Sequence, residues 1–113
     1  MGYRLRTSDS RKSELDSALR AFLSRVAETD VRLVILFGSL ARGDVGPDSD
    51  LDLVVIRDSA EPFLRRGEDL LRLLPPGTPV DLLVYTPEEW QNLIASNSFF
   101  KAVQEEGIVV YEA

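Results

Sequence analysis

Leu15, Ala18, Leu19, Phe22, Leu23 and Val26 recur at the spacing that lines one side of an α-helix, so the pattern predicts an amphipathic helix. Ser13 suits its N-cap, with Asp16 as the reciprocal partner. The stretch before it, residues 1–12, has no such period and is expected to be a flexible tail. From Val31 to Phe37 the chain is almost continuously apolar and rich in β-branched residues, the pattern of a central strand buried on both faces. Further strands are predicted over Leu51 to Ile56, Val80 to Tyr85 and, short and last, Ile108 to Tyr111.

Punctuation between these runs supplies the rest. Gly43, Asp44, Gly46, Pro47 and Asp48 crowd turn formers into a surface loop from Arg42 to Ser49. Glu61 to Leu74 reads as a helix stopped by Pro75-Pro76-Gly77. Thr86, Pro87 and Glu89 supply an N-cap, a favoured first helical residue and a capping-box partner for a helix carrying Trp90, Leu93 and Ile94. Phe99, Phe100 and Val103 predict one more short helix, with Gly107 as a left-handed cap. The first two strands are joined by a loop too short for a helical crossover, which predicts a mixed sheet. The expectation is an α/β (α+β) fold, a small mixed sheet of about four strands flanked by helices, with residues 13–113 as a single domain.

Composition narrows the chemistry. The 113 residues include no cysteine and no histidine, which removes thiolate and imidazole as metal ligands and imidazole as a base. Any metal is then oxygen-bound, favouring Mg²⁺ or Mn²⁺. A formal charge of -6 argues against a nucleic-acid surface. The weak basic cluster of Arg4, Arg6, Arg11 and Lys12 reads as part of the solvated tail. With neither a long uncharged apolar run nor a leader, the chain is expected to be cytoplasmic and independent of membranes.

Residues two apart on a strand share a face, so Asp50 and Asp52 project together while Leu51 and Leu53 project the other way. Side by side they repel, and a divalent cation would neutralise them. Asp81 repeats the theme at the start of the third strand and joins them if the two strands are neighbours. Gly38 and Ser39 follow the first strand, where free amides and a hydroxyl can donate to phosphate, and Leu40 to Arg42 fit the first turn of a helix. Taken singly, Gly-Ser is an ordinary turn and Asp-x-Asp ordinary strand-end solvation. Arg42 suits either a phosphate or an ion pair with Asp44 or Asp48 in the loop. Trp90, Phe99 and Phe100 read as core or partner contacts in preference to a base-stacking platform, and Trp90 to Phe100 is the candidate partner surface.

Leu36-Phe37-Gly38-Ser39-Leu40-Ala41-Arg42-Gly43, followed by Ser49-Asp50-Leu51-Asp52-Leu53, closely resembles the signature of the DNA polymerase β-like nucleotidyltransferases. The short chain and the Val80-Asp81-Leu82 strand look most like the minimal nucleotidyltransferases, and the likeness runs from about Val31 to Tyr111. The resemblance implies that Asp50 and Asp52 bind two Mg²⁺ ions, that Asp81 completes the site and assists the attacking hydroxyl, and that Gly38 and Ser39 hold the triphosphate. ATP is the nucleotide it implies. The implied partner is a HEPN-domain toxin, adenylylated on a hydroxyl by the transferase acting as antitoxin. Two alternatives stand beside this: a non-catalytic module that masks its partner, and a small-molecule nucleotidyltransferase acting as a homodimer.

Overall fold

The computed structural model describes residues 7–113. Arg4 and Arg6, with the first half of the expected tail, lie outside the described residues. The first helix, α1 (Ser8–Val26), starts earlier than its apolar stripe. Thr7 caps it in place of Ser13: its hydroxyl accepts from the Ser10 amide at 3.1 Å while the Ser10 hydroxyl accepts from the Thr7 amide at 2.9 Å. Residues 8–12, expected in the tail, are therefore helical. Polar first-turn residues hide the start of a helix from any search for apolar periodicity. Arg11 is buried, donates from Nε to the Pro47 carbonyl at 2.9 Å and stands 3.6 Å from Glu14, so it braces α1 against the loop that leads to Asp50.

Four strands, β1 (Val31–Phe37), β2 (Leu51–Arg57), β3 (Val80–Tyr85) and β4 (Ile108–Glu112), form one sheet in the order β3-β2-β1-β4. β1 pairs antiparallel with β2 and β4, whereas β2 and β3 run parallel, giving the mixed sheet that the connections predict. α1 packs its Leu15, Ala18, Leu19, Phe22 and Val26 stripe on one sheet face, against Val34, Leu36, Leu51, Leu53 and Val55. The opposite face carries Ile35, Val54 and Ile56 beneath α4 (Pro87–Ser96) and α5 (Ser98–Glu106). β1 is thus covered on both sides, as its unbroken apolar run requires.

The helix expected over Glu61 to Leu74 is broken. A 3-10 turn (Phe63–Arg65) precedes a single α-helical turn, α3 (Glu68–Leu71). The break falls at Gly67, whose backbone lies so close to β3 that an added Cβ would stand 3.1 Å from Leu82 Cδ2 and 3.3 Å from Val84 Cγ2. The Arg66 carbonyl is occupied as well, accepting from Arg57 Nη1 at 3.1 Å. α4 begins as predicted: Thr86 Oγ1 accepts from the Glu89 amide at 3.2 Å and Glu89 Oε1 from the Thr86 amide at 2.9 Å, with Pro87 next in line. Gly107 is not a left-handed cap; its φ of -70° and ψ of 166° are extended, because the chain passes straight into β4. Glycine is needed there for space, since a Cβ would meet the Val103 carbonyl oxygen at 2.5 Å and Ile35 Cγ2 at 2.6 Å.

Trp90, read from sequence as a core or partner contact and as the start of the candidate partner surface, is a core residue, with Ile94 and Phe100 half-covered in the same cluster. Phe99 is the large apolar residue of that stretch that stays open. Among the described residues, no helix is long and apolar enough to cross a membrane.

Candidate functional site

β1 ends at Phe37, and the chain turns at once into α2 (Gly38–Arg42), the short helix anticipated after the Gly-Ser corner. Gly38 takes a φ of +75°, a conformation open to glycine. It also meets a steric demand. A Cβ on Gly38 would lie 2.0 Å from Asp52 Oδ2, so the absence of a side chain is what lets the Asp52 carboxylate settle on the corner.

Asp52 reaches that corner because Phe37 and Asp52 are register partners across β1 and β2. On the other side, Asp52 is register partner to Asp81 in the parallel β2–β3 pair, which sets both carboxylates on one face of the sheet. Asp50 stands just ahead of β2, exposed, and Asp81 is exposed on the edge strand. Their charges converge on Asp52. Its carboxyl is pushed up from 3.8 to about 6, first by burial, then by repulsion from Asp81 and Asp50, with Arg42 pulling the other way. The field of Asp81 extends along β3 as well: the Tyr85 phenol is raised by burial, then by Glu89 and Asp81.

Asp52, Gly38, Ser39 and Arg42 open onto a cleft of about 470 Å³. Asp50 and Asp81 flank Asp52 and do not line it. Among the described residues, no group of three or more acidic side chains is drawn together tightly enough to hold an ion as it stands. The donor set nonetheless suits a hard divalent cation, since these are oxygen ligands whose mutual repulsion a cation would relieve. Arg42 is shared: its Nε lies 3.4 Å from Asp44 Oδ2, the loop ion pair that the sequence also allows, while its charge reaches Asp52. Both members of that pair are well exposed, so the contact holds Arg42 weakly.

The far wall of the cleft was not foreseen from sequence. It comes from α5, through Phe99, Ala102, Val103 and Glu106, followed by Gly107. The spacing of 99, 102, 103 and 106 marks a single helix face, and an acidic residue closing an apolar stripe was the available signal.

Comparison with known proteins agrees with this geometry. Residues 15–109 match the nucleotidyltransferase domain family. The chain is 36% identical over 83 residues to the "putative protein adenylyltransferase" of Methanocaldococcus jannaschii, covering 72% of this chain and 79% of that protein. The crystal structure of a "putative nucleotidyltransferase" from Sulfolobus solfataricus superposes with a TM-score of 0.61 at 18% identity, covering 90% of this chain and 86% of that one. A toxin-antitoxin crystal structure with AMP-PNP aligns at a TM-score of 0.48 and 19% identity, covering 90% of this chain and 73% of that one.

Proposed function

Since the chain belongs to the nucleotidyltransferase domain family, we propose that it transfers AMP from ATP to a hydroxyl of a partner protein. The observation that carries the reading is the placement of Asp52, seated on Gly38 at the cleft wall with Asp81 beside it in register. The relative named as a protein adenylyltransferase supports a protein acceptor. The sequence resemblance to minimal nucleotidyltransferases supports a HEPN-domain toxin as that acceptor, with this chain as its antitoxin.

Asp50, Asp52 and Asp81 are the residues that would hold Mg²⁺ or Mn²⁺, two ions on the family pattern. Such ions, when bound, supply positive charge against the α-phosphate and the departing pyrophosphate. The chain's own groups do the positioning. Gly38 and Ser39 bring backbone amides and a hydroxyl to the phosphates, and Arg42 adds an exposed cation at the cleft rim. Asp81, exposed on an edge strand, is open to an incoming hydroxyl and accepts its proton as the oxygen attacks the α-phosphorus and the bond to pyrophosphate breaks.

The test is transfer of labelled AMP from ATP with Mg²⁺ to a purified HEPN-domain partner. A double variant, Asp50→Asn with Asp52→Asn, is expected to bind the partner and transfer nothing. Should that variant still neutralise the partner fully, masking and not catalysis is the mechanism.

A further inference from the structure

The α5 wall of the cleft is chemically unlike the α2 wall. On the α2 side stand Gly38, Ser39 and Arg42, groups suited to phosphate; on the α5 side stand an aromatic ring, small and aliphatic residues, and a carboxylate. Phe99 is 51% exposed, yet its ring is held in place. Phe37 meets it at 6.0 Å between centroids and 83°, and Phe100 at 5.0 Å and 81°, both edge-on. Two neighbours thus fix the ring while much of its surface stays open. Of the other large rings nearby, Phe37 also lines the cleft but is half-buried and set edge-on to Phe99, while Trp90 is buried, Tyr85 stacks on Trp90 and Phe63, and Phe100 sits edge-on to Tyr85 and Trp90.

We propose that α5 is the nucleoside-binding wall, with the open surface of Phe99 stacking on the base and the Glu106 carboxylate accepting a hydrogen bond from a ribose hydroxyl. This rests on the nucleotidyl-transfer reading above and deepens it. A carboxylate can only accept, and it repels phosphate; in a nucleoside triphosphate its partners are therefore the donors of the nucleoside. The triphosphate accordingly lies toward Arg42 and the nucleoside toward α5. Ala102, small and half-buried between Phe99 and Glu106, leaves room for a ring, and the cleft volume falls in the range of small-ligand sites, roughly 300–1,000 Å³.

The experiment is calorimetric titration of the full chain in Mg²⁺ with ATP, with 2′,3′-dideoxy-ATP and with inorganic tripolyphosphate. Phe99→Ala is expected to weaken ATP about tenfold while leaving tripolyphosphate unchanged. Phe99→Trp, which keeps a stacking surface, is expected to restore ATP affinity. Glu106→Ala is expected to shrink the wild-type preference for ATP over the dideoxy analogue. Equal ATP binding by wild type and Phe99→Ala overturns the inference, as does a parallel loss of ATP and tripolyphosphate, which would mark Phe99 as a prop of the cleft. An undiminished preference for ATP in Glu106→Ala removes the carboxylate from the proposal. Wild type that binds neither ATP nor tripolyphosphate instead refutes the transfer reading itself, so the two failures are distinct.

Discussion

The two faces of the same sheet are built to different ends. Under α1, Leu51, Leu53 and Val55 of β2 pack with Leu15 and Phe22 into a closed apolar layer. On the reverse face, β2 presents Val54 and Ile56 to α4 and α5 but begins with Asp52, where the cover opens into the cleft. One strand thus contributes to a core and to an acidic site by alternation alone. The lesson is that the site is an unfinished end of the second core, and its carboxylates can change without touching the first.

That contrast can be broken or sharpened by substitution. The largest effect is expected for Asp52→Asn, which should lower AMP transfer by about three to four orders of magnitude while leaving the fold intact. A variant that transfers AMP at near wild-type rate would remove Asp52 from the chemistry. Phe22→Ala, on the closed face, should cost about 3–5 kcal/mol in denaturant unfolding. A site built on the other face predicts that its residual folded fraction binds ATP with wild-type affinity. Gly38→Ala lies where the faces meet. It should cost about 1–3 kcal/mol and displace the Asp52 carboxylate, so transfer should fall more than stability.

A pH series without divalent ions sharpens the comparison further. The Asp52 carboxyl is raised in the folded state from 3.8 to about 6, so the native protein holds its proton more tightly than the unfolded chain. Ionised Asp52 therefore opposes folding above about pH 6, and this opposition fades as the pH falls from there toward 4. The melting temperature of Asp52→Asn should exceed that of wild type at pH 7, with the gap closing by pH 4; a gap independent of pH would contradict the repulsion described. The smallest effect is expected from Thr86→Ala, which removes the α4 cap and should cost about 1 kcal/mol with no change in transfer.

Much of this was legible in the chain. β1 and β3 fall on the predicted residues because apolar runs of that length bounded by glycine or proline admit few alternatives, and the α4 start is written in Thr86, Pro87 and Glu89. Asp52 and Asp81 could be named, and their neighbourhood follows from sequential strands pairing in parallel. Other features depended on contacts between segments distant in sequence. Gly67 breaks a helical pattern because β3 presses on it, and no local signal records Leu82. Gly107 has the spacing of a left-handed cap and an extended backbone. Phe99 and Trp90 look alike as aromatic residues in amphipathic segments, yet one is open and the other enclosed. The α5 wall stayed hidden for a related reason: a helix pattern shows a face but not what it faces.

Arg11 makes a quiet connection of this kind. Its guanidinium, largely withdrawn from water, grips a carbonyl 36 residues away at Pro47, just upstream of the aspartates. Fraying at the front of α1 is therefore transmitted to the acidic rim, and protection of the amides around Ser49 and Asp50 from hydrogen exchange becomes a gauge of how firmly that opening helical turn is seated.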